Sequence, residues 1–148
     1  MSKFLYLFTP LILLSFLGCD NEIAPSQVPS VVKNTFKQQF PHAEDVEWKN
    51  LNNDYEVDFE LEDVDYTALL DNTGNLLKHK YERDKTTVPN RILSFLVREY
   101  PKDTWEDLEY VKDGNSEYFQ LEIDGFINDK KLVVDSLGNV LTNVKYWN

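Results

Sequence analysis

Two segments of the chain carry apolar residues at every fourth position. This spacing places each set on one face of a helix, as seen for Val32, Phe36 and Phe40, and again for Ile92, Leu96 and Tyr100. A proline stands where each helix would start and another where it would end, at Pro29, Pro41, Pro89 and Pro101. The sequence therefore predicts two helices of about three turns each.

After each predicted helix the apolar residues alternate with polar ones. Residues 55–62 alternate apolar with acidic side chains, and residues 118–124 show the same period. One apolar and one polar face are typical of a strand in an antiparallel sheet. Shorter strand candidates surround these two, at 44–49, 65–71 and 76–81 in the first half and at 106–112, 130–135 and 140–146 in the second.

The two halves align as copies of one unit. "VPSVVKNTFKQQFP" aligns with "VPNRILSFLVREYP" at an offset of 60, "AEDVEW" with "WEDLEY" at 62, and "LLDNTGNLL" with "VVDSLGNVL" at 64. Three blocks in the same order indicate duplication. The predicted fold class is α+β, a tandem repeat of a helix plus a four-stranded antiparallel sheet, with the helices packed on one sheet face. The first repeat covers 28–82, a connector 83–87, and the second repeat 88–148.

The N-terminus has the features of a targeting segment. Its apolar run, residues 4–17, is shorter than the roughly 20 residues that span a bilayer, so residues 1–18 are predicted to be a signal peptide. The following Cys19 resembles the lipidated cysteine of bacterial lipoproteins, although an ordinary signal peptide with an incidental cysteine is the alternative. Lipidation predicts attachment to the bacterial envelope, facing the periplasm or cell surface, with 19–27 as a tether.

Composition excludes several classes of function. The net charge of −11 argues against nucleic acid as a partner, and the single cysteine excludes a disulfide or a cysteine-rich zinc site. His42 and His79 lack the spacing of a metal site or catalytic triad. Glu60 and Glu62 could be drawn as a glycosidase pair, but they are predicted on an open strand face without a pocket. We expect no catalytic residue, metal or cofactor.

The two Asp-x-x-Gly-Asn segments have two explanations. Residues 71–75 and 135–139 share residue types with calcium-binding loops, but they lack the ligand spacing of an EF-hand. A hairpin turn explains the same residues without a bound ion, because the aspartate can accept hydrogen bonds from the backbone and the glycine can adopt a left-handed conformation.

Several of these features together resemble the PepSY-like family of beta-lactamase-inhibitor-like bacterial envelope proteins. They are Val28-Pro29 and Val88-Pro89 opening the helices, Phe40-Pro41 and Tyr100-Pro101 closing them, Tyr55-Glu56-Val57 in a strand, and Asp71 to Gly74 with Asp135 to Gly138. The resemblance covers residues 27–147. It implies two helix-plus-four-strand units, no enzymatic activity, and binding of a protein or peptide.

Residues that the copies do not share form the candidate binding surface. Trp105, Tyr118, Tyr146 and Trp147 either fill the contact between the units or lie exposed for binding. The acidic row of Glu56, Asp58 and Glu60 is either a solvated face or a surface for a basic partner or a cation. We expect a monomeric, non-catalytic protein that binds a partner through its sheet face, with inhibition as one form. The alternative is a structural or stress-related envelope lipoprotein without a ligand.

Overall fold

A computed structural model describes residues 21–101, 104–124 and 129–148. Eight strands form one antiparallel sheet in which the spatial order equals the order in sequence. The strands are β1 (Glu22–Ile23), β2 (Glu44–Leu51), β3 (Asp54–Leu61), β4 (Val64–Asp71), β5 (Leu76–Glu82), β6 (Thr104–Asp113), β7 (Ser116–Asp124) and β8 (Lys130–Val134). The helices are α1 (Ser30–Gln39) and α2 (Asn90–Glu99), each preceded by one 3-10 turn.

Both helices start and end where their prolines dictate. Pro29 and Pro89 cap the N-termini, and the C-cap residues Phe40 and Tyr100 each precede a proline. α1 buries its apolar stripe against β2, β3 and β4, in a cluster that includes Val32, Phe36, Trp48, Val57, Phe59 and Leu70. α2 does the same against β6, β7 and β8, in a cluster that includes Ile92, Leu96, Leu108, Leu121, Ile123 and Val134.

A row of aromatic rings joins the two clusters across the middle of the sheet. The ring centroids of Tyr66 and Tyr81 are 4.8 Å apart, those of Tyr81 and Tyr110 5.2 Å, and those of Tyr110 and Phe119 5.7 Å. These residues are successive cross-strand partners from β4 to β7, so their side chains share one face of the sheet. The two helices therefore cover the same face.

The predicted fold class, a tandem repeat of helix plus four-stranded sheet, is wrong. β5 pairs with β6 from Lys78↔Asp113 to Glu82↔Glu109, so the strands form one continuous sheet of eight. Pairing satisfies backbone N–H and C=O groups that two separate sheets would leave without partners at their facing edges. The strand predicted at 140–146 is also absent, since Val140 forms only an isolated bridge with Val134.

The chain end crosses to the face of the sheet opposite the helices. Residues 141–148, which we call the C-terminal segment, follow the bridge at Val140. Trp147 packs there in a cluster with Val111 of β6, Tyr118 of β7 and Val133 of β8. Leu69 of β4 also packs against this cluster. The C-terminal segment therefore covers the β6–β8 half of this face and reaches the first half.

The two edges of the sheet are short or interrupted. β1 has two residues, which pair with Trp48 and Lys49 of β2. β2 bulges between Glu44 and Glu47, where Asp45 has a φ of 47°. At the other edge, β8 begins with two exposed lysines, Lys130 and Lys131.

Several predicted features lie outside the described residues. The signal peptide at 1–18 and the lipid attachment site at Cys19 are among them. The predicted tether is described from Asn21 onwards, and this part contains β1 and the 3-10 turn Pro25–Gln27. The repeat and connector boundaries stay predictions. Within the described ranges, no helix is long and apolar enough to cross a membrane.

Candidate binding face of the sheet

The first half of the sheet presents a row of acidic side chains on the face without helices. Cross-strand pairing aligns Glu47 of β2 with Asp58 of β3 and Thr67 of β4, and it places Glu60 beside Asp65. A depression of about 330 Å³ lies among these side chains, lined in part by Asp45, Glu47, Asp58, Glu60, Asp65 and Thr67. We call this surface, formed by β2, β3 and β4, the acidic face.

Lys49 fixes one side of the acidic face. Its Nζ lies 2.6 Å from Oδ2 of Asp58 and 3.5 Å from Oε1 of Glu56. The other carboxylate oxygen of Asp58 accepts a 2.8 Å hydrogen bond from the hydroxyl of Thr67. The hydrogen bond with Asp58 is the largest cause that raises the pKa of Lys49, which favours the charged amine. Lys49 and Thr67 therefore both hold the carboxylate of Asp58. The row of acidic side chains continues through Glu60 and Asp65.

A buried glutamine attaches the C-terminal segment to the other half of the face. Gln120 of β7 is fully buried, and its Oε1 accepts a hydrogen bond of 3.0 Å from the backbone N–H of Trp147. The Nε2 of Gln120 donates to the carbonyl oxygen of Trp147 at 2.7 Å and also to Glu109. Both backbone groups of Trp147 are thus satisfied by one side-chain amide, which fixes the chain end on the sheet.

Two lysines of β5 border the Trp147 ring. Lys78 Nζ lies 4.1 Å from the ring centroid, a cation–π geometry, and Lys80 Nζ lies 5.4 Å away. Lys80 also contacts Glu109 at 2.9 Å. Burial is the largest cause that lowers the pKa of Lys78. The indole therefore stands between the hydrophobic cluster and the charged side chains of the acidic face.

The structure brings only some of the predicted site residues together. Tyr118 and Trp147 are buried in one cluster, and Tyr146 packs against it with Lys131 Nζ 4.8 Å from its ring. Trp105 lies on the helix side, packed against the α2 cluster, with Lys85 Nζ 4.7 Å from its ring. These aromatic side chains pack on other residues of the protein, and a binding role for them stays a prediction.

The predicted acidic residues differ in exposure. Glu56 is nearly buried beside Lys49, whereas Asp58 and Glu60 are partly exposed. Glu62 stands in the hairpin turn between β3 and β4 with a φ of 55°, so it does not share a strand face with Glu60. A binding role for these residues stays a prediction.

Three residues that organise this face were not predicted from the sequence. Lys49, Thr67 and Gln120 contact the predicted residues from neighbouring strands. Alternation located Gln120 on the polar side of β7, but no local pattern indicates that the C-terminal segment covers it. The available signal was the aromatic pair at 146–147 near the end of the chain.

The two Asp-x-x-Gly-Asn segments are hydrogen-bonded turns. Asp71 Oδ1 accepts from the backbone N–H groups of Thr73 and Asn75, both at 2.9 Å, while its Oδ2 accepts from the Asn75 amide at 2.8 Å. These bonds, chiefly that from the Asn75 backbone, lower the pKa of Asp71 to about 2. Asp135 makes the equivalent bonds to Leu137 and Asn139. The carboxylates are occupied by their own turns, which favours the turn explanation over the ion-binding one.

The described residues hold no cluster of metal-ligating side chains. Among them, no group of three or more His, Cys, Asp or Glu side chains could hold a metal ion. The partly open sheet face is the candidate binding surface, and its role stays a prediction.

The fold defines a class of protein, an antiparallel sheet with helices on one face only. Residues 18–78 match the sequence profile of the family described as "Putative beta-lactamase-inhibitor-like, PepSY-like". The predicted resemblance to this family is confirmed over residues 18–78, whose described part holds β1, α1, β2, β3, β4 and the start of β5. A comparison with curated proteins gave no match.

Solved structures from Bacteroides species share the fold. A protein from Bacteroides fragilis NCTC 9343 described as BLIP-like has 18% identity and a TM-score of 0.69, with 80% of this chain and 92% of that chain covered. A "putative periplasmic" protein from Bacteroides eggerthii DSM 20697 has 14% identity and a TM-score of 0.72, covering 77% and 86%. A DUF2874 family protein from Bacteroides uniformis ATCC 8492 has 16% identity and a TM-score of 0.70, covering 76% and 86%. At these identities the similarity concerns the fold.

Proposed function

We propose that the chain is a lipid-anchored bacterial envelope protein that binds a basic protein or peptide through its acidic face and performs no catalysis. The observation that carries the proposal is the incomplete cover of the sheet. The C-terminal segment packs on the β6–β8 half, but the depression lined by Glu47, Asp58, Glu60 and Asp65 stays open. Acidic side chains at the edge of an interface attract a cationic partner and fix its orientation.

The comparisons support the envelope location and the binding role. One similar structure is described as periplasmic and another as BLIP-like, and the matching family is described as beta-lactamase-inhibitor-like. An inhibitor acts by occupying the surface of an enzyme, which requires an accessible, ordered face and no reactive group. The pairing of Lys49 with Asp58 supplies such order on the acidic face.

Crosslinking in intact cells tests the binding role. The protein is recovered after crosslinking, and its partners are identified in parallel from the unchanged chain and from a Glu60→Lys, Asp65→Lys variant. We expect the variant to lose the specific partner by about tenfold or more, since two charges change sign at the proposed contact.

The matched control changes two exposed acids away from the acidic face. Glu99→Lys with Asp129→Lys alters the net charge by the same amount at the end of α2 and just before β8. Retained recovery with the control and loss with the first variant support the proposal. Equal recovery from all three proteins contradicts it and favours the alternative, a structural or stress-related lipoprotein without a discrete ligand.

The lipid anchor is tested separately. Cys19→Ala removes the predicted acylation site. We expect the variant to lose acyl labelling and membrane retention, because one cysteine carries the proposed attachment. Unchanged labelling and retention would refute the anchor but leave the binding role untouched.

Inhibition is the most specific form of the proposed role. The purified protein is titrated into assays of envelope hydrolases, with β-lactamases first because of the family's description. Inhibition is supported if the unchanged protein lowers turnover in a concentration-dependent manner and the Glu60→Lys, Asp65→Lys variant does not. If the protein still recovers its partner but inhibits none of the enzymes tested, inhibition of those enzymes is excluded. Binding then stays as the proposed function.

A further inference from the structure

The two helices α1 and α2, which we call the helix layer, carry a net positive charge, although the whole chain is negatively charged. α1 contains Lys33 and Lys37 and no acidic residue among its ten. α2 contains Arg91 and Arg98 with Glu99 as its one acid. The chain has a net charge of −11, and the acidic face lies on the other side of the sheet. The molecule is therefore electrostatically polarised, with a cationic layer of helices on one side and carboxylates on the other.

A groove runs between α1 and β2 on the cationic side. Its volume is about 540 Å³, and its apolar lining includes Phe36, Val46 and Trp48. Lys33 and Lys37 stand along the helix side of the groove. No acidic side chain is among its described lining residues, although the chain has 26 Asp and Glu residues. A cationic rim beside an apolar floor matches the anionic headgroup and apolar chains of a phospholipid.

Exposed aliphatic side chains extend this surface along both helices. Val31 on α1 is 48% exposed and Val97 on α2 is 71% exposed. Val97 and Leu93 line a shallow depression beside Arg98. Aliphatic side chains interspersed with Lys and Arg are typical of helices that lie in the plane of a bilayer surface.

The groove is also close to the N-terminal end of the described chain. Pro25 lines it and accepts a 2.8 Å hydrogen bond from Lys33 Nζ through its carbonyl oxygen. Pro25 lies six positions after Cys19 in sequence, and six extended residues span at most about 20 Å. A lipid attached at Cys19 would therefore lie within reach of the groove.

We propose that the helix layer docks on an anionic phospholipid bilayer, with the α1–β2 groove against the lipid and the acidic face directed away from it. The presence of the protein at a membrane rests on the proposed function, but the affinity of the groove for lipid does not. Docking in this orientation leaves the acidic face open to a partner in the adjacent compartment.

Vesicle binding without the anchor tests this surface. The chain from Asn21 onwards contains every described residue and all three hydrophobic clusters. It is sedimented with vesicles of phosphatidylcholine alone and with vesicles that also contain phosphatidylglycerol. We expect binding to the mixed vesicles that weakens as salt is added, because salt screens exposed charges. No binding, or equal binding to both vesicles, would overturn the proposal.

Charge reversal localises the contact. Lys33→Glu with Lys37→Glu is expected to reduce binding to the mixed vesicles by about tenfold or more, since each basic residue near an anionic surface adds to the attraction. The matched control, Lys131→Glu with Lys145→Glu, makes the same change in net charge at two exposed lysines outside the helix layer. Equal losses in both variants would show that net charge, not the groove, controls binding.

A second variant guards against a change in folding. The hydrogen bond between Lys33 and Pro25 does not involve Lys37, whose side chain is exposed. Lys37→Glu alone therefore leaves this bond in place. It should weaken binding while keeping the circular dichroism spectrum and unfolding midpoint of the unchanged chain. Retained binding by this correctly folded variant would also count against the groove. The assay contains neither acylated cysteine nor protein partner, so its failure leaves the anchor at Cys19 and the binding role of the acidic face standing.

Discussion

Two glycines link the turns after β4 and β8 to the helices. Gly74 and Gly138 have φ values of 88° and 81°, in the left-handed region that disfavours other residues. A Cβ at Gly138 would lie 3.0 Å from the Arg91 carbonyl oxygen of α2, and one at Gly74 would lie 2.9 Å from a methyl carbon of Val31 on α1. The turns therefore need glycine for two reasons, backbone conformation and close approach to a helix.

Replacing Gly138 should be more costly than replacing a glycine in open space. Gly138→Ala is expected to lower the free energy of unfolding by about 2–3 kcal/mol, because it combines left-handed strain with a clash. Gly114→Ala is the control, since Gly114 has a φ of 56° but no neighbouring atom within 4 Å of a Cβ. We expect Gly114→Ala to lower the free energy of unfolding by about 1 kcal/mol. Equal losses of unfolding free energy in the two variants, measured by urea denaturation, would show that the close approach of Gly138 to α2 does not add to the cost.

His79 makes stability depend on pH. It is half-buried on the helix face of β5, with its ring 5.8 Å from that of Phe40. Burial, and secondly the charge of Lys112, lower the pKa of His79 in the folded state. The unfolded chain therefore binds the proton more readily, so the contribution of neutral His79 is complete above its unfolded pKa and declines as pH falls towards the folded value.

A titration of stability checks this sign. Between about pH 7 and pH 5 the free energy of unfolding should fall less in His79→Gln than in the unchanged chain. His42→Gln, at an exposed position, controls for the loss of a histidine as such. A pH profile that is identical in the His79 variant and the unchanged chain would contradict the burial argument.

Elements with local signals could be predicted from the sequence. The four-residue stripes located α1 and α2, since helix contacts depend on residues close in sequence. Alternation located β3 and β7 for the same reason. Nothing local indicated that β5 pairs with β6, that residues 22–23 add a strand, or that residues 141–148 leave the sheet edge. These features depend on contacts between distant segments.

The candidate site was only partly accessible to the same reasoning. The acidic row was visible as a row of charges on one side of β3, but its pairing with Lys49 and Thr67 needed the registers of β2 and β4. Trp147 was singled out correctly as unusual, yet its surroundings depend on Gln120, 27 residues earlier in the chain. Sequence patterns identify the side of an element but not what covers it.

The C-terminal segment should contribute substantially to stability. Trp147 is 9% exposed and packs on Val111, Tyr118 and Val133. Trp147→Ala is expected to lower the free energy of unfolding by about 3 kcal/mol, through lost burial and an unfilled space. Lys145→Ala, at an exposed neighbour, should change it by less than about 0.5 kcal/mol. Similar small effects in both variants, measured by urea denaturation, would mean that the segment is loosely attached.

The continuous sheet makes the whole molecule one cooperative unit. The α1 and α2 clusters are joined by β5–β6 pairing and by the tyrosine row, so we expect the two halves to unfold together. Leu70→Ala and Leu121→Ala remove fully buried side chains from the two clusters. Each should lower the free energy of unfolding by about 2–5 kcal/mol and shift one common transition.

Two optical probes distinguish this from independent halves. Tryptophan fluorescence and far-UV circular dichroism should report the same midpoint in each variant, because all strands melt together. A biphasic curve, in which Leu70→Ala moves one phase and Leu121→Ala the other, would indicate two separately folding units.

The short and interrupted edges of the sheet affect how copies of the protein behave in a crowded compartment. An eight-stranded sheet with two long, regular margins could template strands from its neighbours and grow into aggregates. Here one margin ends in a two-residue strand beside the bulge at Asp45, and the other begins with Lys130 and Lys131. Charge and irregularity at these positions oppose strand addition from another copy. Copies of the protein can therefore reach a high local concentration without polymerising through their sheet edges.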